Sequence, residues 1–282
     1  IRYFVEKTKN LNCSYSLTSN GLFSKEICDY LIENSFHVAI SIDGDESVFI
    51  KHQNGFLTKK EYDIVVRNIT SLSHKVPELV GLSVSNLEDI ISNPKYLYNV
   101  LETLYGLGFE TINLTVNNFD LFHEMPNESV DLFIENLFNV LSFIQTHDDV
   151  SILCPFISVP DIDDYSYIHC ATIMDRKRIM VLLPNGKISF CQRNQEEKYL
   201  ITLEDAIEND CQVINSNLDE LVEHCQQQNK KCISCIARNL CKSRVCPATF
   251  ADKFQKNNLN VFCKNMIRIR EKFIFKLLWE EN

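Results

Sequence analysis

Four cysteines lie within fifteen positions toward the carboxyl-terminal end of the chain: Cys232, Cys235, Cys241 and Cys246, with the spacing C-x2-C-x5-C-x4-C. Pro247 directly follows the last of them, and the surrounding stretch is polar and rich in lysine. Thiols in such a stretch would oxidise unless they were coordinated. The cluster therefore predicts a metal site rather than four residues of an apolar core.

Two kinds of metal centre compete for these thiolates. Structural zinc prefers two C-x2-C pairs or a mixture of Cys and His, whereas this cluster has one such pair and no histidine at ligand spacing. Iron–sulfur clusters accept thiolates at irregular short spacings, often with proline after a ligand. The sequence favours an iron–sulfur centre, with zinc as the alternative.

Three further cysteines, Cys170, Cys191 and Cys263, lie outside the cluster and bring the candidate ligands to seven. Two four-iron clusters bound only by thiolates would use about eight ligands. The difference indicates an open iron site or an eighth ligand such as Cys154. The remaining cysteines are interpreted as small buried apolar residues: Cys13, Cys28, Cys211 and Cys225.

The elements that must position these residues begin with an alternation of strand-type and helical patterns over the first 155 residues. The predicted strands cover residues 13–19, 37–43, 78–85, 111–116 and 150–154. The predicted helices begin after Ser24, near Tyr62, after the Asn93–Pro94 pair and near Glu128. Because parallel strands need crossover connections, the alternation predicts an α/β fold with helices on a parallel sheet.

The pattern changes after Pro155. Residues 177–191 predict a β-hairpin in which Asn185 and Gly186 form a type I′ turn, and residues 261–279 predict a terminal amphipathic helix. We therefore expect two domains, residues 1–155 and residues 165–282.

The charge of the chain excludes some partners. A net charge of -10 and a pI of about 5.2 argue against a nucleic-acid surface, which needs a concentration of Lys and Arg. No apolar stretch is long enough to span a bilayer, and the opening residues lack the apolar core of a signal peptide. We expect a cytoplasmic protein, with reduced thiols and without membrane or nucleic-acid partners.

The order of the seven cysteines, with Gly186 placed five residues before Cys191, resembles the SPASM domain of radical S-adenosylmethionine (AdoMet) enzymes that modify peptides and proteins. One spacing departs, because this chain has four residues before Cys246 where the family usually has three. The resemblance implies two auxiliary [4Fe-4S] clusters. Cys170, Cys191 and Cys246 would hold the first cluster, and the second would be held by Cys232, Cys235, Cys241 and Cys263.

The segment LTSNGLFSKEICDYLIENSFHVAISIDG, residues 17–44, resembles two strand ends of the radical SAM barrel, and the whole is similar to anaerobic sulfatase-maturating enzymes. The resemblance implies a partial (β/α)6 barrel without its first strands, followed by a small α+β SPASM domain with a hairpin and a cysteine-rich loop. It also implies that Asn20, Ser41 and Asp43 lie near the amino-acid and ribose parts of AdoMet. The alternative for each is a capping or turn residue.

Two features depart from the radical SAM pattern. The chain contains no C-x3-C-x2-C run and no G-G-E segment, so we expect AdoMet and a third [4Fe-4S] cluster only in a complete protein with a further amino-terminal segment. The family's H-D-x-x-R motif is replaced by Phe49, Ile50 and Gln53. The missing arginine removes a bidentate partner for a carboxylate, which predicts a degenerate cofactor site.

The resemblance implies an iron–sulfur oxidoreductase that modifies a peptide or protein substrate, with a redox partner. Two alternatives stay open at this point. One is a non-catalytic iron–sulfur module that recognises a peptide for a partner enzyme, and the other is a zinc-binding protein. The spacing identifies no catalytic residue.

Overall fold

The computed structural model describes residues 1–10, 13–52, 56–117, 125–154, 156–157, 181–183, 185–189, 200–202, 204 and 256–279. The chain divides into two compact units. The first consists of residues 1–119 and 126–157, and the second of residues 120–125 and 158–282. The predicted domain ranges 1–155 and 165–282 stay predictions, because most of the second range lies outside the described residues.

A five-stranded parallel sheet forms the centre of the first unit, with its strands in chain order. The strands are β1 Ser16–Ser19, β2 His37–Ser41, β3 Glu78–Asn86, β4 Thr111–Asn117 and β5 Ser151–Leu153. Three of them lie within the predicted ranges, and β3 and β4 each end one residue later than predicted. The predicted α/β fold with a parallel sheet is therefore confirmed.

Seven helices are described in the first unit. They are α1 Arg2–Thr8, α2 Lys25–Glu33, α3 Glu46–His52, α4 Lys59–Leu72, α5 Leu87–Ser92, α6 Tyr96–Gly106 and α7 Asn127–Thr146. Helix α6 begins later than predicted, because Asn93 caps the preceding turn by accepting a hydrogen bond from Lys95 N at 3.0 Å. It ends at Gly106, and Gly108 has φ +89° in the turn that follows.

The two faces of the sheet differ in burial. Along β3, Leu79, Gly81, Ser83 and Ser85 are buried, whereas the residues between them are more accessible. Helix α4 packs near the buried face, since its Val65 and the β2 residue Ile40 both lie against Gly21. The opposite face is the more open one. The candidate site lies at the edge of the sheet where the parallel strands have their carboxyl ends.

The described part of the second unit contains a hairpin of β6 Val181–Leu182 and β7 Ile188–Ser189. Its turn is not type I′, because Gly186 has φ +78° while Asn185 is not among the described residues with positive φ. Gly186 N donates to Leu183 O at 2.9 Å, the bond of a type I turn followed by a glycine bulge.

The terminal helix α8 spans Lys256–Trp279 and begins five residues before the predicted start. Met266, Ile269 and Phe273 are buried and Leu277 is half-buried, so this side of the predicted amphipathic helix is its apolar face. Arg268 Nη1 donates to Met125 O at 2.7 Å, a contact between two residues of the second unit. None of the described helices combines the length and the apolar character that crossing a bilayer requires.

Candidate functional site

The structure places two predicted site residues, Asn20 and Ser41, at matching positions on neighbouring strands, where the strands have their carboxyl ends. The register pairs Ser19 of β1 with Ile40 of β2, so Asn20 and Ser41 come next on neighbouring strands. Both side chains are exposed. Asp43 follows two residues after Ser41 and is largely buried, with 15% of its side chain exposed. In parallel α/β folds, ligands bind at this edge.

Asn20 shapes the turn after β1. Its Oδ1 accepts a hydrogen bond from Leu22 N at 3.1 Å, and Gly21 between them has φ +77°. The buried Asn68 of α4 fixes this turn, because its Nδ2 donates to the carbonyl oxygens of Gly21 and Phe23 at 2.8 Å each. The oxygen of Asn20 therefore has the turn role that was the alternative prediction, and its amide group extends from a fixed turn.

Asp43 is held by two partners. Its Oδ1 accepts a hydrogen bond from Val84 N of β3 at 2.9 Å, and its Oδ2 lies 3.1 Å from Nδ1 of His52. The other ring nitrogen of His52, Nε2, lies 3.1 Å from Oδ2 of Asp89 in α5. Lys51 forms an ion pair with the second oxygen of Asp89. We call Asp43, Lys51, His52 and Asp89 the edge cluster.

Burial makes the edge cluster electrostatically distinct from a surface ion pair. Only 6% of the His52 side chain is exposed, and Asp89 is exposed to 15%, whereas Lys51 extends into solvent. Burial raises the pKa of Asp89, but the hydrogen bonds from Lys51 and His52 lower it more, so its pKa lies below the usual value. Asp89 is therefore ionised at neutral pH.

The degenerate cofactor site inferred from the missing arginine stays a prediction. Phe49 is a core residue, 2% exposed, whose ring packs 5.4 Å from that of Tyr62. Gln53 lies outside the described residues. His52, one position before Gln53, supplies the nitrogen partner of Asp43. Sequence reasoning missed this histidine, because only tertiary packing brings it to Asp43 and Asp89.

The more open face of the sheet continues the polar surface away from Ser41. The register aligns Ser41 with Leu82, Asn113 and Leu153 across the sheet, and Val84 with Thr115 in the next row. Val84 is 41% exposed and Leu153 48% exposed. The face therefore offers hydroxyl and amide groups beside apolar side chains.

Most predicted metal ligands lie outside the described residues: Cys170, Cys191, Cys232, Cys235, Cys241 and Cys246. Cys263 is half-buried in α8, and Cys154, directly after β5, is 3% exposed. Within the described ranges no group of three His, Cys, Asp or Glu side chains is placed to hold a metal ion.

The cysteines interpreted as buried core residues have different outcomes. Cys28 is 2% exposed, and burial raises the pKa of its thiol. The prediction for Cys13 is wrong, because its side chain is exposed just before β1. Cys211 and Cys225 lie outside the described residues.

Comparison with known proteins finds a likeness of fold. No protein-family model and no curated protein matches the chain. The structure of native anSMEcpe with bound AdoMet aligns with a TM-score of 0.61 at 16% identity, covering 100% of this chain and 81% of that one. The same protein with bound AdoMet and Kp18Cys peptide gives 0.59 at 16% identity, covering 100% and 81%. Its complex with AdoMet and Cp18Cys peptide also gives 0.59 at 16%, covering 99% and 81%.

This likeness extends over the whole chain and concerns the fold. anSMEcpe is an anaerobic sulfatase-maturating enzyme of the radical SAM/SPASM class. The resemblance predicted from the cysteine order and the strand-end segments is therefore confirmed at the level of the fold.

Proposed function

We propose that the protein is an iron–sulfur protein of the radical SAM/SPASM type that takes part in modifying a peptide or protein in the cytoplasm. The observation that carries the proposal is the likeness of fold over 100% of the chain to anSMEcpe with bound AdoMet and peptide. The order of seven cysteines supports it independently, because it is a property of the sequence and does not depend on the likeness of fold.

The residues at the sheet edge fit AdoMet as a ligand. Asn20 and Ser41 present an amide and a hydroxyl side by side on neighbouring strands, groups that can hydrogen-bond the ammonium, carboxylate and ribose hydroxyls of the cofactor. In this proposal Asn20 and Ser41 contact the cofactor directly. Asp43 completes the set as an acceptor, because each carboxylate oxygen has a second lone pair beyond its bond to Val84 or His52.

Bound AdoMet supplies hydrogen-atom abstraction in enzymes of this type. That chemistry needs a third [4Fe-4S] cluster on a C-x3-C-x2-C run, which the sequence does not contain. We therefore assign catalysis to a complete protein that includes this run. This chain's own residues would bind and orient the cofactor and present the substrate against the more open face of the sheet.

Two auxiliary [4Fe-4S] clusters are proposed for the second unit. Cys170, Cys191 and Cys246 would bind the first cluster. The second would be bound by Cys232, Cys235, Cys241 and Cys263. Such clusters would hold the substrate or pass an electron to a redox partner, since their potentials are tunable over a wide range by hydrogen bonding and burial.

A non-catalytic iron–sulfur recognition module is the second candidate function, because all seven proposed cluster ligands lie within this chain. In that case the chain would bind the peptide and a partner enzyme would carry out the reaction. Sequencing upstream of Ile1 separates the two, because a C-x3-C-x2-C run in the same gene supports the enzyme.

The cluster proposal is tested by a matched pair of cysteine variants. Cys235→Ala removes a proposed ligand, so its iron content after anaerobic reconstitution should fall by about half relative to the wild-type chain. Cys13→Ala removes an exposed thiol outside the proposed set and should keep the full iron content. Equal iron content in the wild type and Cys235→Ala would contradict the proposed ligand set.

A further inference from the structure

Both nitrogens of the His52 ring face carboxylates. Nδ1 lies 3.1 Å from Asp43 and Nε2 lies 3.1 Å from Asp89, and the side chain is 6% exposed. A neutral imidazole has one N–H and one acceptor nitrogen, whereas an ionised carboxylate only accepts hydrogen bonds. Both contacts are hydrogen bonds to ionised carboxylates only when the ring carries a proton on each nitrogen.

The charges of the edge cluster balance in that state. Asp43 and Asp89 contribute two negative charges, and Lys51 and the His52 imidazolium contribute two positive charges. With a neutral ring, the two largely buried carboxylates would have the solvent-exposed Lys51 as the remaining cation of the cluster, which is costly in a low-dielectric environment. Charge balance therefore favours the imidazolium independently of the hydrogen-bond geometry.

The other titratable groups near the edge cluster do not replace His52 in this role. Asp45 accepts from Ser47 Oγ at 2.6 Å and from Val48 N at 3.0 Å, so its carboxylate caps α3. Tyr96 of α6 is buried, and burial raises the pKa of its hydroxyl, so it stays neutral.

The imidazolium connects separate parts of the sheet edge. Asp43 follows β2 and accepts a hydrogen bond from Val84 of β3, while Asp89 belongs to α5 and His52 ends α3. Loss of the central cation would leave two carboxylates facing each other across the vacated space. Asp43 would then be free to turn away from Val84. The backbone at Ser41, two residues earlier, would be held less firmly.

We propose that doubly protonated His52 is a positioning residue that fixes Asp43 on Val84 and so holds the edge where Asn20 and Ser41 lie. Its effect on AdoMet binding rests on the proposed function, whereas its effect on Asp43 does not. His52 contacts no ligand in this account and acts through Asp43.

The first test measures the ring nitrogens directly. In the full chain labelled with ¹⁵N-histidine, long-range ¹H–¹⁵N spectra near pH 7 should place both nitrogens of His52 in the protonated range. A spectrum with one unprotonated nitrogen would overturn the proposal. This measurement uses the wild-type chain, so it does not depend on the folding of any variant.

The second test uses His52→Gln and, as the matched control, His74→Gln. His74 also lies 3.1 Å from a carboxylate, that of Glu110, but it is 78% exposed. We expect His52→Gln to raise the hydrogen-exchange rate of the Val84 amide about tenfold and His74→Gln to leave it unchanged. Unchanged exchange at Val84 in a folded His52→Gln chain would overturn the proposal.

AdoMet binding separates this proposal from the proposed function. By calorimetry, His52→Gln should weaken AdoMet binding about tenfold relative to wild type and His74→Gln. If the wild-type chain binds no AdoMet while both ring nitrogens are protonated and Val84 exchange responds, the positioning role is supported and cofactor binding by this chain is refuted. Equal affinity in wild type and His52→Gln would refute the link between His52 and the cofactor edge.

Discussion

At the scale of single residues, the candidate site contains side chains of two kinds. Asn20 and Ser41 are exposed at the ends of adjacent strands, whereas Asp43 is held by a backbone N–H and by His52. A ligand at this edge would therefore meet an amide and a hydroxyl that are set by β1 and β2, next to a carboxylate that is set by the edge cluster.

The ionisation of Asp89 gives a prediction for acid stability. Its folded pKa lies below the ordinary Asp value of about 3.9, because the bonds from Lys51 and His52 outweigh the opposing effect of burial. The stabilisation is fully present above that ordinary value and is lost as the pH falls through the lower folded value, since the unfolded chain binds the proton first. Asp89→Asn should therefore weaken the acid dependence of the free energy of unfolding.

Urea unfolding followed by circular dichroism, from about pH 7 to about pH 3, measures this dependence. Glu88→Gln removes a charge from an exposed position of the same helix and is the matched control. An Asp89→Asn chain that loses stability with acid as steeply as both the wild type and the control would contradict the prediction.

The sequence predicts part of the site at this scale. Asn20, Ser41 and Asp43 could be placed at one edge, because a strand end fixes the position of the residue that follows it. His52 could not, because its partners lie 9 and 37 residues away along the chain and are brought to it only by tertiary packing. Asn68, 47 residues from Gly21, was missed for the same reason.

At the scale of elements, one buried asparagine joins three helices. Asn136 of α7 accepts a hydrogen bond from Leu97 N of α6 through Oδ1 at 2.9 Å. Its Nδ2 donates to Ile90 O of α5 at 2.9 Å and to Asn93 O at 2.8 Å. These bonds satisfy backbone groups at the end of α5 and the start of α6, where helices leave groups without partners.

Asn136→Ala should destabilise the chain by about 3 kcal/mol or more, because it leaves buried backbone groups without partners and opens a cavity. Asn99→Ala in α6 is the matched control, since that side chain is exposed, and it should change stability by less than about 0.5 kcal/mol. Urea unfolding measures both variants. Equal stability of the two would show that the asparagine bonds contribute little.

At this scale, the long helices could be predicted from the sequence and the two short helices of the edge cluster could not. Helices α4 and α7, of 14 and 20 residues, show an apolar period over several turns and were predicted. Helices α3 and α5, of 7 and 6 residues, are too short to show one, yet they carry His52 and Asp89. The site therefore depends on two elements that periodicity could not predict.

At the scale of the whole molecule, two parts of the chain indicate the same type of fold. The parallel sheet lies in the first unit, and the ordered cysteines lie in the second. The sheet could be predicted because apolar strands alternate with amphipathic helices. The placement of the cysteines in space could not, because in the proposed second unit it would follow from bonds to iron, which no apolar period encodes. Metal binding would then supply part of the folding free energy of that unit.

Iron and labile sulfide content is the most direct test of the central claim. For the full wild-type chain reconstituted without oxygen, we predict about eight iron atoms and about eight labile sulfides per chain, with the absorption of [4Fe-4S] clusters. A colourless chain that binds zinc and contains no labile sulfide would contradict the account.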